Sequence, residues 1–295
     1  MKIWLNGKVV DEKNAKVSIF DRGFLYGDGV FETMRSHNRM VFKLDEHLDR
    51  LYASFRVIDI KIPYSKQFLK QQIYRLLKVN KLDDAYIRVT VTRGQGTIGL
   101  AEIKCKDPTV VIIVIKFKPY PAKMYRDGIT VKIVDIRQNE KSPLSGIKSI
   151  SFLNNILARL ASHRGARTTG ARHRGEAKKG GFDDAIMLNS RKEVSEATVS
   201  NIFLIKGRVL MTPSLKSGIL PGITRRAILD AAPDIGLRPK QKAITLRELY
   251  GADEIFLTNS LMGVMPVTRV DGKIIGKGRP GLFTKMAGSN YLCLI

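Results

Sequence analysis

The chain has 295 residues, 44% of them hydrophobic, enough for one large core or two moderate ones. A formal net charge of +24 attracts anionic partners through long-range fields but does not choose among nucleic acid, an acidic membrane surface and anionic metabolites. Two cysteines exclude a disulfide framework and a cysteine zinc site and point to a reducing compartment, the cytoplasm. No segment approaches the ~20 apolar residues of a membrane span, and Met1 to Val10 lacks the apolar run of a signal peptide, so no membrane partner is expected.

In chain order, the first elements read as strands. Lys2–Leu5 turns at Asn6-Gly7 into Lys8–Val10, a hairpin signature, and a short strand follows at Val17–Phe20. Gly23, Gly27 and Gly29 mark a loop before Val30–Arg35, which alternates as a half-buried strand does. Leu48, Leu51 and Phe55, then Phe68, Ile73, Leu76 and Leu77, recur at helical spacing and predict two helices. Strands at Tyr86–Thr92 and Thr109–Ile115 complete a smaller α+β domain over residues 1–118.

Pro119-Tyr120-Pro121 reads as an interdomain linker over residues 119–127, because two prolines disfavour a helix and a central strand. A larger, mixed α/β domain covers residues 128–295. It contains a strand at Thr130–Ile136, a helix beginning near Ser151, and strands at Asp184–Leu188 and Asn201–Ile205. A helix opens after Pro221-Gly222-Ile223-Thr224, and a strand follows at Glu254–Leu257. No internal period indicates a solenoid.

Several motifs admit both a chemical and a plain structural reading. Gly94-Gln95-Gly96-Thr97-Ile98-Gly99 matches the dinucleotide fingerprint and follows a strand, but Asp107-Pro108 and a new strand arrive before a helix could present its N-terminus to a pyrophosphate. It reads as a flexible loop. Gly222 and the amides opening the following helix form a ready anion site or an ordinary capped helix. The hydroxyls of Thr258-Asn259-Ser260, at a strand end, could serve the same anion.

Lys148 lies between a turn and a helix among apolar neighbours, whose desolvation favours the neutral amine that forms imines. Glu193 and Glu196 either pair with a cationic ring or face water. The basic run from His163 to Lys179 reads as a solvated loop, with an anion or RNA contact as the alternative; it lacks the aromatics used for base stacking. The four histidines show no metal-ligand spacing, so no metal is expected.

Taken in order, these segments resemble the class IV aminotransferases of pyridoxal phosphate (PLP) fold type IV, whose fold is that of D-amino acid aminotransferase. The group contains branched-chain aminotransferases, D-amino acid aminotransferases and 4-amino-4-deoxychorismate lyases. The likeness runs from Lys2 to about Lys285. It rests on Asp21-Arg22-Gly23 with Tyr26-Gly27-Asp28-Gly29-Val30-Phe31-Glu32, on His47-Leu48-Asp49-Arg50-Leu51, and on Tyr86-Ile87-Arg88 with Thr92-Arg93-Gly94. It continues through Gly146-Ile147-Lys148-Ser149, Val194-Ser195-Glu196-Ala197-Thr198 with Asn201-Ile202-Phe203, Leu220-Pro221-Gly222-Ile223-Thr224-Arg225 and Thr258-Asn259-Ser260.

The resemblance implies that Lys148 carries PLP as an imine and shuttles protons, and that Glu196 keeps the pyridine nitrogen protonated so that the ring acts as an electron sink. It further implies that Arg50, Gly222, the amides of Ile223 and Thr224, and Ser260 hold the phosphate. Tyr26, Phe31, Tyr86, Arg88 and Asn259 would line the substrate side, in a homodimer. The chain departs from the pattern at Ser151-Phe152, where many relatives carry Asn-Tyr, and in a longer basic connection over residues 163–180. It departs again at the tail Ala287 to Ile295, which ends where relatives continue a terminal helix.

The expected reaction moves an amino group between an amino acid and an α-keto acid, in the branched-chain manner that Tyr86-Ile87-Arg88 resembles. The alternative is the lyase that forms 4-aminobenzoate and pyruvate, which Asn259-Ser260-Leu261 through Met265-Pro266-Val267 resembles. A basic nucleic-acid binder on the same scaffold is a minor third reading, opposed by the intact Lys148 and Glu196.

Overall fold

The computed structural model describes residues 1–100, 105, 107–163 and 181–295. Apart from His163, the basic run at residues 163–180 lies outside the described residues. The chain forms two compact units, one of Met1–Pro119 with Ile147–Phe152 and Ile295, the other of Tyr120–Gly146 with Leu153–Leu294. Ile147–Phe152, the segment that carries Lys148, therefore groups with the first unit, across the linear boundary drawn at residues 119–127.

In the first unit, β1 (Lys2–Leu5), β2 (Lys8–Asp11), α1 (Arg22–Tyr26), β3 (Gly29–His37) and β4 (Met40–Val41) are followed by α2 (Leu44–Val57), α3 (Lys66–Val79), β5 (Ala85–Thr92) and β6 (Thr109–Lys116). The strands form an antiparallel sheet in the order β2-β1-β6-β5-β3-β4. Alternation sorts its side chains. Val30, Met34, Ile87, Val89 and Val91 are buried in a core with Leu48, Leu51 and Phe55 of α2 and Leu69, Ile73 and Leu76 of α3. Phe31, Thr33 and Arg35 of β3 have the opposite parity and lie opposite Thr90, Arg88 and Tyr86 of β5.

Two expectations for this unit need correction. Val17–Phe20 is not a strand: the Phe20 amide donates to Ser18 Oγ at 3.1 Å and the Asp21 amide to the Ser18 carbonyl at 3.0 Å, so a local turn outcompetes β propensity. The glycine-punctuated stretch before β3 is not all loop either. Asp21 caps α1 by accepting from the Gly23 amide at 2.7 Å, and Gly27 ends it in the left-handed region at φ 68°.

The second unit contains α4 (Ala122–Asp127), β7 (Ile129–Gln138), α5 (Leu153–His163), β8 (Asp184–Asn189), β9 (Val194–Ala197), β10 (Asn201–Lys206), β11 (Val209–Pro213) and α6 (Ile223–Ala231). After them come β12 (Arg238–Lys242), α7 (Leu246–Tyr250), β13 (Glu254–Asn259), β14 (Gly263–Val270), β15 (Lys273–Ile274) and α8 (Leu282–Leu294). The sheet runs β12-β11-β10-β13-β14-β7-β8-β9, with β15 on β14. It mixes parallel pairs, β11 with β12, β14 with β7 and β7 with β8, and antiparallel pairs such as β10 with β13 and β13 with β14.

A parallel β7–β8 pair requires a crossover, and α5 lies within it, with Ala158 buried against Val134, Ala185 and Met187. The sheet also curls on itself, for the Val194 amide of β9 donates to the Ile244 carbonyl just beyond β12 at 2.8 Å. The expected linker holds α4, which opens on Pro121. Proline disfavours a helix interior, but its fixed φ suits a helix start. The fold is thus an α+β unit and a mixed α/β unit.

Candidate active site

Of the residues singled out in the sequence, the first unit holds Lys148, Arg50, Tyr26, Phe31, Tyr86 and Arg88, and the second holds Glu196, Gly222, Ile223, Thr224, Asn259 and Ser260.

In the first unit, backbone pairing determines which side chains meet. Val30 lies opposite Ser149, the Phe31 amide donates to the Lys148 carbonyl at 2.9 Å, and the Ile150 amide donates to the Gly29 carbonyl at 3.0 Å. Opposed residues of an antiparallel pair share a face, so Lys148 emerges beside Phe31, with Nζ 4.6 Å from the ring centroid. The same ring meets the Arg88 guanidinium carbon at 3.8 Å and the edge of Phe152 at a centroid distance of 5.7 Å. Arg88 Nε donates to Thr90 Oγ1 at 3.0 Å, which fixes the arginine over the aromatic face. Lys148 and Arg88 thereby place two basic groups on one buried phenyl ring.

Glu32 has the opposite parity and faces α2. It is fully buried, and His47 Nδ1 lies 2.8 Å from Oε2, while Arg50 Nε and Nη2 donate to Oε1 and Oε2 at 2.7 and 2.8 Å. Burial alone would raise this carboxyl, but the Arg50 charge and the hydrogen bonds from His47 and Arg50 reverse that effect and hold it at about 2. Burial pushes His47 down. The hydrogen bond to Glu32 and its charge oppose that shift, whereas the positive charges of Arg50 and Lys148 add to it. Arg50 is therefore a guanidinium fixed by a bidentate pair.

Tyr26 is occupied elsewhere in this unit. Its hydroxyl accepts from the Gly99 amide at 2.7 Å, its ring lies 4.7 Å from the Arg22 guanidinium carbon, and Arg22 Nη1 donates to the Gly99 and Thr97 carbonyls at 3.0 and 3.3 Å. The Gly94–Gly99 loop is held by these side chains and is followed by no helix before β6 among the described residues.

In the second unit, Glu196 sits on β9 and is 8% exposed. Its Oε2 accepts from Asn201 Nδ2 and from the Leu220 amide, both at 3.1 Å. Gly222 is the N-cap of α6, and no side chain caps the helix, so its first amides, at Ile223 and Thr224, are presented for an anion. A Cβ on Gly222 would come within 2.0 Å of Asn201 Oδ1, so any side chain there would displace the Asn201 carboxamide. Burial brings Arg225, also on α6, down to about 10 against the upward pull of Glu196.

Ser260 lies in the turn that joins β13 to β14. Asn259 holds that turn, since its Oδ1 accepts from the Leu261 and Met262 amides at 2.9 Å each and its Nδ2 donates to the Val199 carbonyl at 3.3 Å. Thr258 Oγ1 and Ser200 Oγ are buried hydroxyls with no hydrogen-bond partner among the described residues. An uncapped helix start, a glycine without room for a side chain and orphaned hydroxyls fit a phosphate, and a pinned carboxylate fits a basic ring nitrogen. The residues present suit PLP.

Three polar residues with evident work received no role from the sequence. Glu32 and His47 stand in the quoted motifs, and the parity of Glu32, a carboxylate on the core-facing side of β3, was the available signal. Asn201 stands in a quoted motif too, but its work depends on a neighbour across a turn, which the motif does not name.

A family model described as amino-transferase class IV matches residues 29–270. A Methanocaldococcus jannaschii protein, named provisionally as a branched-chain-amino-acid aminotransferase, is 41% identical over 286 residues, covering 97% of this chain and 93% of its own. The aminodeoxychorismate lyase of Bacillus subtilis is 35% identical over 271 residues, covering 91% of this chain and 86% of its own. Among solved structures, the T.th. branched-chain amino acid aminotransferase with pyridoxamine 5′-phosphate aligns at a TM-score of 0.87 and 26% identity, covering 99% of this chain and 92% of that one.

Proposed function

Because the chain belongs to the class IV amino-transferase family, we propose that it is a PLP-dependent enzyme moving an amino group between a branched-chain amino acid and an α-keto acid. The observation that carries this reading is the placement of Lys148, hydrogen-bonded through its backbone to Phe31 with Nζ 4.6 Å from the ring. Its amine would hold the aldehyde carbon of the cofactor and then move the proton at the substrate Cα. PLP would supply the electron sink for negative charge at that carbon. Glu196 would keep the ring nitrogen protonated, and Arg50, Gly222, the amides of Ile223 and Thr224, and Ser260 would hold the phosphate. Phe31, Tyr86 and Arg88 would line the substrate side, with Tyr26 and Asn259 supporting its loops.

The test is the visible spectrum of the purified protein while amino donors are added, followed by borohydride reduction and peptide mapping. A band that shifts with branched-chain donors and a reduced adduct on Lys148 are expected. An unmodified Lys148, or full turnover by Lys148→Ala, would overturn the reading.

The second reading is the lyase, favoured by the 35% identity to the Bacillus subtilis enzyme. Release of pyruvate and 4-aminobenzoate from aminodeoxychorismate without an added acceptor, together with no amino transfer, would select it.

We also propose a cytoplasmic homodimer. Among the described residues no helix is long and apolar enough to cross a membrane, and both cysteines are free thiols. Ile19, Phe24, Ile98 and Leu100 are each at least 65% exposed in the first unit, an apolar set suited to a second copy. Sedimentation as a monomer at micromolar concentration would refute the dimer.

A further inference from the structure

We propose that Asn201 is a positioning residue that holds the Glu196 carboxylate in the orientation and ionised state needed to keep a bound pyridine nitrogen protonated. The inference rests on the role given to Glu196 above and adds the residue on which that role depends.

Asn201 opens β10 and is 4% exposed. Its Nδ2 donates to Glu196 Oε2 at 3.1 Å and to the Leu220 carbonyl at 3.0 Å, so both amide protons are used. The Leu220 amide donates to the same Glu196 oxygen at 3.1 Å. One carboxylate oxygen therefore carries two donors, which fix the rotation of the group and favour its ionised form. The remaining atom of the carboxamide, Oδ1, abuts Gly222, where a Cβ would approach to 2.0 Å.

Arg225, the cation that feels Glu196, has its own Nη2 committed to the Pro213 carbonyl and to Gln241 Oε1 at 2.9 and 2.8 Å. Asn201 and Leu220 both touch the carboxylate directly. Without Asn201, the ionised form loses a donor. A proton shared between the carboxylate and a ring nitrogen then moves toward the carboxylate.

A merely structural asparagine would hold the Leu220–Gly222 turn and affect phosphate affinity alone. The experiment separates the two roles with 4′-deoxypyridoxine 5′-phosphate labelled with nitrogen-15 in the ring, an analogue that has no aldehyde and cannot react with Lys148. Ring-nitrogen chemical shifts against pH are compared for wild type, Asn201→Ala and the milder Asn201→Ser, with inorganic phosphate affinity measured alongside.

The expected result is a ring nitrogen protonated through pH 8 in the wild type and about a tenfold lower protonated fraction ratio in either variant, roughly one pH unit in its midpoint. Wild-type ring protonation in whichever variant folds would overturn the proposal, and weaker phosphate binding with an unchanged ring signal would reassign Asn201 to the turn. If Glu196→Gln leaves the ring signal unchanged, or the wild type does not bind the analogue, the role of Glu196 fails and this inference fails with it.

Discussion

The Phe31 amide donates to the Lys148 carbonyl at 2.9 Å, and the Phe31 ring lies 4.6 Å from the amine of the same lysine. One aromatic residue thus fixes both the backbone and the side chain of the proposed reactive group, while Arg88 and Phe152 pack on its ring. Phe31→Ala should cost about 3 kcal/mol of stability by leaving a cavity, and should lower kcat by tenfold or more because misplacement of a reacting group is costly. Phe31→Leu should recover most of the stability but little of the rate. Urea unfolding with steady-state kinetics checks this, and a wild-type kcat in Phe31→Leu would show that the ring serves packing alone.

The Glu32–Arg50–His47 group predicts how stability responds to acid. The Glu32 carboxyl is held at about 2 against an ordinary 4.5, so its stabilisation is full above about pH 5 and is lost as pH falls toward 2. That difference is worth on the order of 3 kcal/mol. His47 adds slope in the same direction, because its folded-state pKa is depressed and the unfolded chain binds a proton there below about pH 6.5 that the folded chain refuses. Glu32→Gln should be far less stable than wild type at pH 7 and should converge with it as pH falls toward 2. His47→Asn, which keeps a donor without a titration, should remove the part of the loss between pH 7 and pH 5. Parallel stability curves for wild type and Glu32→Gln between about pH 5 and pH 2 would refute the assignment.

The motif of Lys148 could be read along the chain, but its partners could not. Ile147–Phe152 belongs with the first unit because Ser149 and Ile150 pair with Val30 and Gly29, more than 100 residues away in the sequence, and a local pattern carries no record of such a pairing. The strand parity of Val30–Arg35 was visible, and it places Phe31 and Glu32 on opposite faces. What parity cannot give is the neighbour, and so Glu32 had no role until His47 and Arg50 were seen against it. Asn259 and Tyr26 show the converse: their motifs matched, yet the hydroxyl of Tyr26 holds the Gly94–Gly99 loop and the carboxamide of Asn259 holds a hairpin. Val17–Phe20 failed for a smaller reason, the hydroxyl of Ser18 taking the amide that a strand would have used.

Gly94 shows why that loop imitates a nucleotide fingerprint. It adopts φ 93°, and a Cβ there would meet the Asp107 carbonyl oxygen at 1.8 Å, so glycine is required by a backbone crossing. Gly94→Ala should lower stability by about 2 kcal/mol or more, because a left-handed residue and a clash are imposed together. The wild type should show no saturable binding of NADH by fluorescence. Tight NADH binding abolished by Gly94→Ala would restore the dinucleotide reading.

Arg88 bears on the acceptor. Its guanidinium lies 3.8 Å from the Phe31 ring centroid with Nε held by Thr90, an arrangement that orients a fork of donors suited to a carboxylate. Lysine would keep the charge but lose both the stack and the fork. Arg88→Lys should therefore raise KM for a five-carbon dicarboxylic α-keto acid by roughly 10- to 100-fold, about 1.4 to 3 kcal/mol of binding, with kcat within about threefold. Thr90→Val, which removes only the hydroxyl that holds Nε, should give a smaller rise in the same constant. If both variants keep the wild-type KM for the dicarboxylic acid while KM for a branched-chain keto acid rises, Arg88 shapes the apolar side of the pocket by holding Phe31, and the acceptor carboxylate is bound by another group.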